Sequence, residues 1–480
     1  MSEANLKLIK NMIYSTSYQL LALILPLVTA PYVSRILEPE GIGIFSVTSA
    51  YATYFVLLGG MGITLYGNRE IAYAISDIKK RSKLFFEINA LRGGSVLVSS
   101  IIFIISIWFQ PQYQNLYLLQ GILIIATALD ISWFFMGMEN FKVVVVRNTI
   151  IRIITVILTF ILVRTVNDLW IYILLVVISQ LFSNLSLWPF LRKNIIYIPP
   201  REWKVLRHLK PTLWLFLPQI ATQIYLSLNK NMLGVLDGMT AAGYFNQSDT
   251  IIRVSFTVVS SFGAAFLPRL SSMYAQGQTE DVQKLTLKSL DLSYAISFLI
   301  MAGIMGVSHT FATFFFGKQY DQVSGLMLVQ ATMIIFVALA SVLGNQYLLS
   351  SGRTKEFAIS SLWGLVVNIA LNLMLIPKIG AMGAVISTVF TEVATTSYQL
   401  WVLRDTFTLK EIFHGVWKYM IGGVVVFIVL FTLNNNMTVS ALNYLIQTII
   451  SILIYLVILY VLRAPVNSLV SPYIKKLLKK

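Results

Sequence analysis

Fourteen apolar stretches of about 20 residues or more follow one another along this 480-residue chain. Each has the length that crosses the hydrocarbon core of a bilayer. They lie near residues 13–34, 42–65, 84–109, 116–137, 143–163, 169–191, 212–236, 245–268, 288–316, 325–349, 356–376, 380–403, 416–434 and 441–462. Only 12% of the residues are charged, about half the share found in soluble domains. The chain therefore reads as an all-α polytopic membrane protein with about 14 transmembrane helices. An even number of crossings puts both termini on one side.

Lysine and arginine choose the side. With the N-terminus inside, the cytoplasmic segments carry 28 of the 36 Lys and Arg, and the external loops carry only Arg35, Arg164, Lys318 and Lys378. Such a bias over short loops predicts that both termini are cytoplasmic. The net charge of +16 is then a topology signal that points to membrane lipids and away from nucleic acid. Cysteine is absent, which excludes disulfides, thiol catalysis and cysteine-ligated metals. The first apolar segment is longer than a cleavable signal peptide's and is expected to remain as an anchor.

The longest polar interruption, residues 192–211, carries Arg192, Lys193, Arg201, Lys204, Arg207 and Lys210 against one acid, Glu202. Its Pro199-Pro200 pair forbids a continuous helix. The predicted order is an N-lobe of spans 1–6 over residues 1–191 and a cytoplasmic linker over 192–211. A C-lobe of spans 7–12 over 212–404, spans 13–14 over 405–463 and a basic cytoplasmic tail over 464–480 follow. The tail is expected against anionic headgroups. Leu25-Pro26 with Gly43-Ile44-Phe45-Ser46, and Leu217-Pro218 with Gly243-Tyr244-Phe245-Asn246, hint at duplication. Parallel lobes would place a substrate path between them.

A charge near the bilayer centre costs roughly 2.5–3.5 kcal/mol on insertion scales, so it usually faces a cavity or a partner. By depth, Arg152, Arg253 and Glu392 fall near the midplane and Lys230 lies deep towards the outer side. Arg92 and Asp130 lie in the inner half. Asp249 and Arg253 are four apart and can neutralise each other. Arg92 can snorkel, or pair with Glu87. Glu87, Asp291 and Arg147 read as interfacial. Lys230, Arg152 and Glu392 have no opposite charge at helical spacing and are expected to face a cavity. Cations favour an anion, and arginine forks suit phosphate oxygens. The acids Glu392, Asp249 and Asp130 are candidates for Na+ or H+. The three histidines, His208, His309 and His414, are far apart, with no metal-ligand spacing. No Walker A sequence is present. The short external loops leave no external catalytic domain.

Several motifs carry a resemblance: PYVSRILEPEGIGIFS (31–46), YGNREIA (66–72), DISWFFMGMENFK (130–142), NKNMLG (229–234), AAGYFNQSD (241–249) and NIALNLMLIPKIGAMGAVISTVFTE (368–392). Together, over about residues 10–405, the chain resembles the Wzx-type polysaccharide repeat-unit flippases. Their superfamily also holds multidrug/cation antiporters and lipid II flippases. The resemblance implies a V-shaped, MATE-like transporter of two six-helix lobes plus two C-terminal helices, alternating between inward- and outward-open states. The implied substrate is an undecaprenyl-pyrophosphate-linked oligosaccharide. It would be turned from the inner to the outer leaflet of the bacterial cytoplasmic membrane, for capsule, exopolysaccharide or O-antigen-type polymer. Polysaccharide polymerase machinery is an expected partner. The pyrophosphate path is expected at Arg152, Lys230, Arg253, Arg92 and Arg35, the last at the outer end of span 1. Glu392, Asp249 and Asp130 are the expected cation-coupling residues, with Na+ or H+ as coupling ion and no cofactor or metal. Glu38 departs from the family, which more often has Gly in an L-G-P-x-G turn whose geometry Glu tolerates poorly. Gly380, Gly383 and Ala384 are expected to permit tight helix packing. The competing readings are a cation-coupled multidrug exporter, against which stands the basic interior, and an integral-membrane polymerase or glycosyltransferase. The chain is expected not to be an enzyme.

Overall fold

The computed structural model describes residues 3–264 and 266–468, and every regular element among them is helical. The chain divides into two compact units, one up to Gly234 and one from Val235 on. The first holds α1 (Glu3–Gly60), α2 (Ile63–Tyr73), α3 (Ile78–Ile107), α4 (Gln114–Ala128), α5 (Ser132–Gly137), α6 (Phe141–Leu162), α7 (Leu169–Leu185), α8 (Trp188–Leu191) and nearly all of α9 (Leu209–Leu236). The second holds α10 (Met239–Ala264), α11 (Leu267–Ala275), α12 (Thr279–Phe316), α13 (Asp321–Gln330) and α14 (Met333–Ala340). It continues through a π-helical turn (Ser341–Leu348), α15 (Thr354–Val402), α16 (Leu409–Ile412), α17 (Val416–Asn436) and α18 (Ala441–Val461).

Among the described residues, nine helical stretches are long and apolar enough to cross a membrane, or ten with the bent pair Lys318–Gln330 and Met333–Leu348 taken as one span. Two of them, Ile24–Tyr73 and Thr354–Val402, run for 50 and 49 residues. At ~1.5 Å per residue each exceeds twice the thickness of a hydrocarbon core. Each is also broken: α1 at Glu38 and α15 at Ile379 and Gly380. Each therefore has the length of two crossings. With α9 and α10 between them, the order is consistent with the fourteen crossings read from the sequence.

The Glu38 break has a local cause. Pro39 keeps the residue before it out of the helical region, and Glu38 sits at φ 58, ψ 174. This backbone region belongs essentially to glycine and costs another residue about 1–3 kcal/mol. We expect Glu38→Gly to raise the thermal unfolding midpoint, by about 1 kcal/mol of stability, while Glu38→Ala, which keeps a Cβ, does not. Equal midpoints for wild type and Glu38→Gly would show that the position is not strained.

Two motifs of the first unit turn out to be one packing device. A Cβ at Gly67 on α2 would stand 2.4 Å from Trp133 Cε3, and one at Gly137 would stand 2.6 Å from the Asn68 carbonyl oxygen. YGNREIA and DISWFFMGMENFK thus close α2 onto α5. The core beside them is aromatic, built from the buried Phe85, Trp133, Phe134 and Phe135. Up to His208 the linker forms no α-helix: it passes Pro199 in extended form and makes two 3-10 turns, Pro200–Glu202 and Val205–His208, before α9 takes up its last three residues. Trp203 stacks on Phe86 of α3, ring centroids 5.5 Å apart.

Helix α9, grouped with the second lobe in the sequence reading, falls within the first unit. It is tied there at both ends. Asn231 Nδ2 donates to the Tyr54 hydroxyl at 3.0 Å, and the residues just before α9 are bonded to α3, as set out below.

In the second unit the halves of α15 fold back on each other at the break. Asn368 Nδ2 donates to Thr391 Oγ1 at 3.0 Å and Gln399 Nε2 to Ser360 Oγ at 3.1 Å. Small residues let them close: a Cβ at Gly383 would stand 2.6 Å from the Leu375 carbonyl carbon, and Ala384 is fully buried. Close packing is the role expected of these two small residues.

Candidate functional site

Among the described residues, the buried charges fall into three arrangements. The first is sealed. Arg92 is 1% exposed. Its Nη1 donates to the Asp130 carbonyl oxygen and lies 3.3 Å from Asp130 Oδ2, while Nη2 donates to Thr64 Oγ1 at 2.9 Å. Its carboxylate partner is thus Asp130, 38 residues along, and not the nearby Glu87. Asp130 stands at the α4–α5 break and accepts from the Ser132 amide at 2.9 Å. A predicted anion-path residue and a predicted cation-coupling residue therefore meet in one tie joining α2, α3 and the α4–α5 break.

The second arrangement fastens the linker. Glu87 of α3 is fully buried and accepts from the Lys204 amide at 2.7 Å, Arg207 Nη2 at 2.5 Å and His208 Nε2 at 2.9 Å. The other ring nitrogen, His208 Nδ1, lies 2.7 Å from the Tyr66 hydroxyl of α2. The tautomer that satisfies both contacts carries its proton on Nε2 and accepts from tyrosine on Nδ1.

Burial holds the His208 imidazole below the ordinary histidine range; Glu87 acts against that lowering and Arg207 with it. The unfolded chain therefore takes up this proton at a higher pH than the folded one. The stabilisation is complete above the unfolded value of about 6.5 and is lost as pH falls through the folded value. We expect the unfolding midpoint of wild type to drop more between pH 7.5 and 5.5 than that of His208→Gln. Parallel pH profiles for the two proteins would remove His208 as the cause.

The third arrangement is half open. Asp249 and Arg253 of α10 pair at 2.5 Å, with the Asp249 side chain 4% exposed and that of Arg253 37% exposed. Gln330 of α13 donates to Asp249 Oδ1 at 3.4 Å and accepts from Ser248 Oγ at 2.6 Å. The pair is the one its four-residue spacing offered, and the Arg253 side chain remains partly exposed. Arg152 on α6, Lys230 on α9 and Glu392 on the second half of α15 are half-buried, and Arg35 on α1 is exposed. All four interact with groups of the fold.

Sequence reasoning misses the Arg92–Asp130 tie, the Glu87–His208 grouping and the Gln330 contact. For Glu87 and His208 the signal was the linker's charge balance: six cations against Glu202 call for an acid from elsewhere. Gln330 was passed over, although an amide inside an apolar run needs a partner.

The chain resembles known proteins over most of its length. A family described as polysaccharide biosynthesis proteins matches residues 8–274. A Shigella dysenteriae protein named as an O-antigen transporter is 26% identical over 78% of this chain and 94% of its own. An Escherichia coli protein of the same name is 24% identical over 84% and 99%. Among solved structures, the lipid II flippase MurJ in an inward-closed conformation matches with a TM-score of 0.70 and 16% identity, over 97% of this chain and all of that one. The last likeness is one of fold. Matched over more than half its length, this multi-pass membrane protein belongs to the polysaccharide biosynthesis protein family.

Proposed function

We propose that the chain is a lipid-linked oligosaccharide flippase. It turns undecaprenyl-pyrophosphate-linked repeat units from the inner to the outer leaflet of the bacterial cytoplasmic membrane by alternating access, for capsule, exopolysaccharide or O-antigen-type polymer. The reading rests on one conjunction: a polysaccharide biosynthesis family and cations set within long apolar helices, Arg152, Lys230 and Arg253. A sugar carried on a pyrophosphate needs counter-charge while it crosses hydrocarbon. Relatives named for O-antigen transport support the substrate class.

In this role Arg152, Lys230 and Arg253 hold the pyrophosphate in passage, with arginine forks matched to its oxygens. Arg35 receives it on the outer side. Arg92, committed to Asp130 and Thr64, positions the helices that frame the path. Glu392 carries the coupling cation, Na+ or H+, and Asp249 and Asp130 enter that step as partners of Arg253 and Arg92. The protein moves its substrate without chemistry, both termini lie in the cytoplasm, and polymerase machinery takes up the product.

The test is the leaflet distribution of lipid-linked oligosaccharide in cells lacking the protein, with wild type, Arg152→Gln or Lys230→Gln restored. Accumulation on the inner leaflet that only wild type clears supports both the function and the path. Clearance by all three keeps the flippase and rejects the two residues. If nothing accumulates without the protein and no related flippase is present, the reading fails. Glu392→Gln with unchanged transport and unchanged ion dependence removes that residue from coupling.

A further inference from the structure

The first turns of α3 are built against the helix they begin. Aligned peptide dipoles make the N-terminus of a helix positive, so acidic side chains are favoured there and basic ones disfavoured. This 30-residue helix has no acid in its first turn. It starts Ile78-Lys79-Lys80-Arg81-Ser82-Lys83, with only the Asp77 cap before it. The fold then adds to the charge. Arg81 Nε donates to the Asn194 carbonyl oxygen and the Ile196 amide to Ser82 Oγ, both at 3.0 Å. These bonds fasten the linker beside the turn and bring up Arg192 and Lys193, both exposed. In residues 74–83 and 192–196 together, six cations face one acid, Asp77.

Apolar side chains stand exposed among these cations: Tyr73 at 73%, Ile78 at 41%, Ile196 at 42% and Tyr197 at 75%. A solvated loop gains nothing from them, and the charge cluster opposes the dipole of its own helix. Both conflicts are relieved at one kind of surface. In the headgroup layer, phosphates meet the cations while tyrosine and isoleucine enter the acyl boundary. The edge also lies at the ends of α3 and α8, where the apolar stretches stop.

We propose that this edge is a docking site for anionic phospholipid. Lys79, Lys80, Lys83, Arg192 and Lys193 take the headgroup phosphates, and Tyr73, Ile78 and Tyr197 sit in the acyl boundary. Arg81 positions the site, since its guanidinium holds the Asn194 and Ile75 carbonyl oxygens. The inference is independent of the transported substrate.

The full-length protein, purified in neutral detergent, is exposed to phosphatidylglycerol or phosphatidylcholine. Bound lipid is counted by native mass spectrometry, and the unfolding midpoint is measured alongside. Wild type is expected to retain phosphatidylglycerol over phosphatidylcholine by roughly tenfold, and Lys79→Gln/Lys80→Gln/Lys193→Gln to lose that preference. Without added lipid the triple variant unfolds at the same temperature as wild type or higher, because it removes cations from a helix N-terminus. Tyr73→Ser/Tyr197→Ser is expected to weaken retention of both lipids with their ratio kept. No preference in wild type, or a preference that survives the triple substitution, overturns the proposal. A midpoint that falls in detergent alone assigns the lysines to the fold and overturns it too. Displacement of phosphatidylglycerol by inorganic pyrophosphate makes the edge a free-phosphate site and rejects lipid as the ligand.

Discussion

Gly383→Val is expected to leave little folded protein. A Cβ at this position would lie 2.6 Å from the Leu375 carbonyl carbon, 2.7 Å from its oxygen and 2.8 Å from the Ile376 nitrogen. A flexible side chain could swing aside; these are backbone atoms of the other half of the same hairpin. To admit valine the halves must separate, and separation pulls apart Asn368 from Thr391 and Gln399 from Ser360. Overpacking alone costs about 1–3 kcal/mol, and interhelical hydrogen bonds at membrane depth add roughly 0.6–2 kcal/mol each. A loss of more than about 3 kcal/mol is a large part of the stability of most proteins. The readouts are the monodisperse fraction after extraction and the unfolding midpoint, with Gly383→Ala between wild type and valine. A valine variant with wild-type yield and midpoint would mean the hairpin is loosely packed.

Glu87→Ala has the second large effect, of a different kind. It deletes the acceptor shared by the Lys204 amide, Arg207 and His208. Replacing a buried ion pair with apolar groups can be neutral, but removing one partner costs about 3–5 kcal/mol because the other is left uncompensated. The damage should concentrate in the linker. Tryptic cleavage at Lys204 or Arg207 requires this segment to come away from α3, and ~3 kcal/mol corresponds to roughly a hundredfold in that opening. Cleavage at wild-type rates in Glu87→Ala would mean that the carboxylate does not hold the linker. Glu87→Gln, which keeps one acceptor oxygen, should fall between the two.

How far the sequence could be read depended on the separation of the groups involved. The helical class followed from run length and charge. The linker's break followed from Pro199-Pro200, and the Asp249–Arg253 pair from one helical turn. The close packing at Gly383 and Ala384 followed from residue size. Glu38 stood out only against a family pattern, and its positive φ explains the departure's cost. The Arg92–Asp130 tie was out of reach, because it joins residues 38 apart and needs the rotation of α3 about its axis, which depth along a helix does not supply. The same holds for Glu87 and His208. Helix α9 was grouped by its place after the linker, whereas hydrogen bonds at both its ends set it with the first unit.

The linker's attachment has a consequence for synthesis. Glu87 and His208 are 121 residues apart. At roughly 5–20 residues per second, the ribosome finishes His208 about 6–24 seconds after Glu87. For that interval α3 carries its acid with none of the linker's donors made. The first unit can therefore insert its early helices one after another, but it cannot close until the polar segment that follows them has emerged.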